Sequence, residues 1–175
     1  MFLPKKVSRF EEALLPHLDA AYNLARWLMR NDADAQDAVQ DACVRALRFI
    51  GGLRGGDGRV WLLKIVRNTC YTRLSGARIR GTETEFDEEM HSCDAAATNP
   101  ETLLMRSRDA DSVNRALEQL PLEFREVIVM RELEGLSYKK IAEAVELPIG
   151  TVMSRLARAR KRMHQALIAS THEDS

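Results

Sequence analysis

Aromatic side chains are scarce in this chain, 6% of 175 residues, and the apolar set is dominated by Ala and Leu. That bias favours helices over strands. Only three cysteines occur, Cys43, Cys70 and Cys93. They are too few and too scattered for a disulfide framework, and neither a C-x-x-C pair nor a Cys/His cluster with zinc spacing is present. No run approaches the roughly 18 uninterrupted apolar residues of a membrane span. The N-terminal Met1 to Lys6 leads directly into an amphipathic pattern rather than a signal-peptide core. A soluble cytoplasmic protein without membrane insertion is expected. The sequence also lacks a glycine-rich phosphate loop, a nucleophile elbow and a set of metal ligands. An enzyme is therefore not expected, nor a metal, a cofactor or a small-molecule substrate.

The charges are abundant but segregated. Lys and Arg balance Asp and Glu at 26 each. Residues 1–80, however, hold 14 cations against 8 acids, and residues 81–105 hold 7 acids and no cation. Residues 106–175 hold 12 against 11, and the stretch 148–163 within them carries five cations and no acid. Two basic surfaces flanking an acidic tether imply separate tasks for separate segments.

Periodicity is helical throughout. Ser8 to Glu11 reads as a capping box opening a first helix, with Phe10, Leu14, Leu18, Ala21, Ala25 and Leu28 on one face. Asp32 or Asp34 can cap a second helix facing inward through Val39, Cys43, Leu47 and Ile50, stopped by Gly51-Gly52. A third helix follows with Trp61, Leu62, Ile65 and Val66 inside, and a break is expected near Asn68. On this reading Cys43 is a small buried thiol, and only Cys93, in a polar acidic stretch, is open to a redox role. From residue 81 to 99 the pattern vanishes: this acidic stretch is too poor in apolar residues to order itself and reads as a flexible linker. Asn99-Pro100-Glu101 restarts a helix that Pro121 ends, and another is expected from Glu123 to Leu133.

The final block carries the most information. Gly135 breaks the chain, Ser137 caps a short helix with Ile141, Ala142 and Val145, and Glu146-Leu147-Pro148 turns. A long basic helix from Ile149 to Ala169 follows, with Val152, Leu156 and Met163 as its buried spine. A short helix, a tight turn and a second cationic helix make a helix-turn-helix, whose second helix enters the major groove of DNA. Ser154 and Arg158 share a face with Arg155 beside it, while Arg160, Lys161 and Arg162 lie further along, placed for phosphates. An Arg-rich helix alone is more often only a solvated face. The cap, the short helix and the proline turn before it favour DNA. The chain reads as all-α: two small helical domains, 8–80 and 100–170, on an acidic linker at 81–99.

Two blocks carry a family resemblance. The segment from Leu120-Pro121-Leu122-Glu123-Phe124-Arg125-Glu126-Val127, through Glu134-Gly135-Leu136-Ser137-Tyr138, to Thr151-Val152-Met153-Ser154-Arg155-Leu156-Ala157-Arg158 resembles region 4 of extracytoplasmic-function (ECF) sigma factors. In the first half, Asp34-Ala35-Gln36-Asp37-Ala38-Val39-Gln40-Asp41 resembles their region 2.2. Val60-Trp61-Leu62-Leu63-Lys64-Ile65-Val66-Arg67-Asn68-Thr69 resembles their regions 2.3 and 2.4. The resemblance implies a promoter-reading subunit of RNA polymerase serving a stress or envelope-type regulon, with core RNA polymerase, promoter DNA and a cognate anti-sigma factor as partners. It implies that Asp37, Gln40 and Asp41 contact the polymerase. It implies that Arg67, Asn68 and Thr69 hold a flipped base of the single-stranded minus-10 element, with Arg73, Arg78 and Arg80 on its phosphates. It assigns the minus-35 duplex to Ser154, Arg155 and Arg158, next to Arg160, Lys161 and Arg162.

Other readings stand beside these. A sigma-like decoy that sequesters an anti-sigma factor would share the likeness, but such decoys tend to lose the DNA-contacting residues retained here. An autonomous helix-turn-helix repressor would leave the first block unexplained. Asp37 and Asp41 also suit the helix dipole alone, Asn68 also suits a helix end, and Trp61 suits core packing. Within the family likeness Met153, Ala157 and Glu146 depart from the usual residues, which predicts altered minus-35 contacts and a differently shaped turn.

Overall fold

A computed structural model describes residues 2–79 and 100–173, with side chains described over 4–76 and 109–173. The linker with Cys93, the cap at Asn99 and the side chains of Arg78 and Arg80 lie outside the described residues. Those residues form α-helices α1 (Phe2–Ala13), α2 (Leu18–Met29), α3 (Asp32–Arg48), α4 (Gly58–Ile79), α5 (Pro100–Gln119), α6 (Leu122–Ile128), α7 (Tyr138–Val145) and α8 (Ile149–Glu173). Among the described residues no strand occurs, and no helix is long and apolar enough to cross a membrane.

In the first half α2, α3 and α4 pack mutually, with α1 laid against α3. The expected single first helix is divided: α1 ends at Ala13, and Leu15–His17 forms a 3-10 turn before α2. Pro16 is responsible, because it has no N–H to donate and its ring obstructs the preceding turn. Ser8 consequently lies inside α1 rather than capping it. The cap of α3 is Asn31, whose side chain accepts from the Asp34 N–H, one residue before the expected aspartate.

The inner face of α3 also differs from expectation. Ala35, Ala38, Ala42 and Ala46 are fully buried, while Val39, Cys43 and Leu47 are only half-buried. Methyl side chains at this spacing allow close helix approach and turn the bulkier residues towards the rim. In α4 the core residues are Val60, Leu62, Leu63, Val66 and Cys70. No break occurs at Asn68; α4 runs on to Ile79. Without Gly or Pro near Asn68 the helix simply continues, and Thr69 and Thr72 donate their hydroxyls back to the Ile65 and Asn68 carbonyls.

In the second half α8 packs on α5, α6 and α7. Between α6 and the turn at Gly135, residues Val129–Leu133 widen into a π-helical segment. Ser137 caps α7 as expected, accepting from the Lys140 N–H. Glu146 closes α7 in the left-handed region, φ 56° and ψ 47°, so the turn keeps the left-handed shape with a non-glycine residue. The halves meet where α2 touches α6 and α4 touches α7.

Candidate nucleic-acid and polymerase interfaces

Three surfaces fall on the elements that the sequence singles out. On α3, Asp37, Gln40 and Asp41 are exposed on one outward stripe that Val44, 56% exposed, continues. The alanine seam on the opposite side holds this stripe on a rigid helix. Asp41 is not a free acid, because it pairs with Arg73 of α4. An acid expected at the polymerase and a cation expected at DNA therefore engage each other here.

On α4 the expected minus-10 residues divide. Arg67 and Asn68 are half-buried, and the Arg67 guanidinium donates to the Asn68 side-chain oxygen at 3.3 Å. Thr69 turns inward: it is 2% exposed and its hydroxyl is bonded to the Ile65 carbonyl. Position 69 falls on the inner stripe with Val66 and Cys70, so here its side chain does not lie at the surface beside Asn68. Asn68 belongs to a helix, not to the loop expected there.

Arg67 meets the other half. Its Nε lies 2.8 Å from Glu126, which is 0% exposed, and the guanidinium rests 3.9 Å above the Tyr71 ring. Arg155 of α8 reaches the same carboxylate at 3.9 Å. Burial pushes the Glu126 carboxyl above the ordinary carboxylate range, against the opposing pull of Arg67 and then Arg155. Burial acts most strongly against the charge on Arg67, but the bond to Glu126, the attraction of its carboxylate and the contact with Tyr71 together outweigh this and raise it. A carboxylate so enclosed persists through its two guanidinium partners. Neighbouring Arg125 is likewise buried, donating to the carbonyls of Leu117, Glu118 and Leu120 and, across the interface, of Trp27. Glu146 and Lys64, 3.1 Å apart, add a rim contact, as do Lys140 and Asp57 at 2.8 Å. Asn23 donates to Glu134 at 2.7 Å, and Arg59 donates to the Glu134 carbonyl. Sequence reasoning missed this network. Nothing along the chain marks Arg125 and Glu126 as buried, and their partners lie up to 98 residues away.

On α8 the inner stripe is Val152, Leu156 and Ala159. Facing outward are Met153, Ser154, Ala157, Arg158 and Lys161. Arg160 pairs with Glu132 at 2.8 Å, and Arg162 lies 5.0 Å from the Phe124 ring centre. Met153 is 50% exposed.

Comparison with known proteins agrees with this layout. Family models describe residues 14–79 as Sigma-70 region 2 and residues 110–163 as Sigma-70 region 4. The chain is 35% identical over 142 residues to the RNA polymerase sigma-H factor of Pseudomonas aeruginosa, covering 77% of this chain and 73% of that one. It is 36% identical over 135 residues to the ECF RNA polymerase sigma-E factor of Escherichia coli, covering 73% and 71%. Among solved structures, sigma factor RpoE in complex with anti-sigma factor NepR from Bartonella quintana is similar at TM-score 0.70 and 30% identity. That match covers 90% of this chain and 96% of the other.

Proposed function

Because this chain belongs to the extracytoplasmic-function group of sigma-70 factors, we propose that it binds core RNA polymerase and directs promoter recognition and opening in the cytoplasm, without enzymatic activity of its own. The polymerase contact is assigned to Asp37, Gln40 and Asp41. The melted minus-10 strand is assigned to Arg67 and Asn68, with Arg73, Arg78 and Arg80 on its phosphates. The minus-35 duplex is assigned to the outward face of α8, with Ser154, Arg155 and Arg158 near the bases and Arg160, Lys161 and Arg162 along the backbone. The two modules correspond to 8–80 and 100–170, and the stretch 81–99 is their tether.

One observation carries this reading: both region matches occur in family order, and each falls on a helical module that bears one of the two basic surfaces. The two promoter elements are centred roughly 25 base pairs apart, about 85 Å of duplex at ~3.4 Å per pair. Two modules in contact cannot reach both, so the Arg67–Glu126 interface must part when the promoter is engaged. The RpoE–NepR complex supports a cognate anti-sigma factor for this chain, and a stress or envelope regulon is proposed with it.

The test is reconstitution. Purified protein with core polymerase starts transcription at a defined promoter, and Asn68→Ala lowers strand opening while polymerase binding is kept. Failure of the free chain to bind core polymerase overturns the proposal; equal opening by the variant removes Asn68 from it.

A further inference from the structure

Resting on the promoter-recognition function proposed above, we infer that the seam between the two halves is a binding site for an apolar dipeptide with free termini. Its occupation holds the halves together and so keeps the chain from the promoter.

The seam holds an open cavity of about 610 Å³, within the range of small-molecule sites, roughly 300–1,000 Å³. One wall belongs to the first half, with Arg54 followed by Val60 and Trp61 of α4. The other belongs to the second half, with Glu143 of α7 and then Leu147 and Pro148 of the turn ahead of α8. Neither wall makes the site alone. The halves are joined here by Lys64 and Glu146 at 3.1 Å and by Lys140 and Asp57 at 2.8 Å. Lys64, Glu146 and Asp57 also line the cavity, and each is already compensated across the seam. Arg54 and Glu143 differ: both are exposed, and neither carries an ion pair among the described residues.

Two unpaired charges of opposite sign on opposite walls call for a ligand that bears both. An anion alone would be repelled by Glu143, and a cation alone by Arg54. A carboxylate accepts from the Arg54 fork, and an ammonium donates to Glu143. Val60, Trp61, Leu147 and Pro148 offer apolar surface to the side chains between those ends. A single amino acid carries both charges on one carbon. A dipeptide sets them further apart by one residue, about 3.5 Å, and brings two side chains. A ligand that needs both walls binds only while the halves are in contact, so it shifts the equilibrium towards that state alone. Promoter engagement requires the halves to part. Dipeptide and promoter therefore exclude one another, each weakening the binding of the other.

The test uses the full chain, with dipeptides built from Leu, Val and Phe as the probes. Equilibrium dialysis against this panel, read by mass spectrometry, retains at least one with a dissociation constant on the order of 0.1 mM. Acetylating its amine, or converting its carboxylate to the amide, weakens retention roughly fivefold in each case. Glu143→Ala weakens it by a similar factor and abolishes the effect of acetylation, and Arg54→Ala does the same for the amide. With the dipeptide at about ten times its dissociation constant, apparent affinity for core polymerase falls about tenfold. The double variant Arg54→Ala with Glu143→Ala hardly responds at that concentration, and its transcription without dipeptide is unchanged. The inference is overturned if no dipeptide is retained, if retention ignores both substitutions, or if the bound dipeptide leaves polymerase affinity unaltered. A chain that starts no transcription with dipeptide absent instead overturns the promoter-recognition function itself.

Discussion

Arg67 and Glu126, 59 positions apart in the chain, form a 2.8 Å ion pair that joins the two halves of the molecule. A guanidinium assigned to melted DNA is thereby occupied by a carboxylate, and Arg155 shares it. In this arrangement one protein carboxylate engages both arginines.

A zero-length carbodiimide coupling reagent should report this arrangement in the free protein. It joins amines only to carboxylates already in contact, so Lys140–Asp57 and Lys64–Glu146 cross-links are expected, from separations of 2.8 and 3.1 Å. Peptide mass spectrometry should show both links fall sharply when core polymerase is added. Persistence of both links in the bound complex would contradict separation of the modules. Neither surface pair contributes much alone, about 0–1 kcal/mol. Asp57→Asn with Glu146→Gln should therefore loosen the interface without unfolding either half.

Glu126→Ala should be far more disruptive. It strips the carboxylate from two guanidiniums, and loss of one partner of a buried pair costs on the order of 3 kcal/mol. Denaturant titration should show a lower midpoint, and an unchanged midpoint would mean that the pair contributes nothing.

Two glycines of α4 should respond in opposite directions. A Cβ at Gly58 would lie 2.6 Å from the Ala13 carbonyl oxygen, whereas at Gly76 nothing lies within 4 Å. Gly58→Ala must push α4 away from the end of α1, at about 1–3 kcal/mol. Gly76→Ala should stabilise the helix by about 0.5–1 kcal/mol. Thermal melts of the two variants settle the contrast, and equal shifts would refute it.

The thiols of the first half should be inert in the native state. Burial pushes Cys70 up to about 12, only partly offset by Arg73, and burial also raises Cys43. The raised value means that thiolate is disfavoured at pH 8 and gains population only as pH climbs towards the folded value. Iodoacetamide at pH 8 should therefore label Cys70 only after unfolding, and rapid native labelling of Cys70 would contradict its burial.

How much of this was legible in the sequence follows from how far each signal reaches. The helix-turn-helix was readable because its markers are local: Gly135 at φ 67°, the Ser137 cap, and Pro148 ahead of α8. Boundaries were lost where two local signals competed. The apolar period ran through Pro16 and hid the division between α1 and α2. The polar run around Asn68 suggested a break that nothing in the backbone requires. The face of α3 was misjudged because larger apolar residues were taken as the core, whereas close packing chose the alanines and left Val44 and Phe49 outside. The shared carboxylate was invisible for a different reason. It sits on α6 while its partners come from α4 and α8, and no pattern along the chain brings those positions together.

The row of buried methyl groups along α3 has a bearing on how the polymerase is met. Helices seated that closely leave little room for the outer surface to shift, so Asp37, Gln40 and Asp41, proposed above for the polymerase contact, are held in one fixed arrangement. Association then need not freeze a wandering backbone, and most of the entropy loss is confined to a few side-chain rotors and the two bodies themselves.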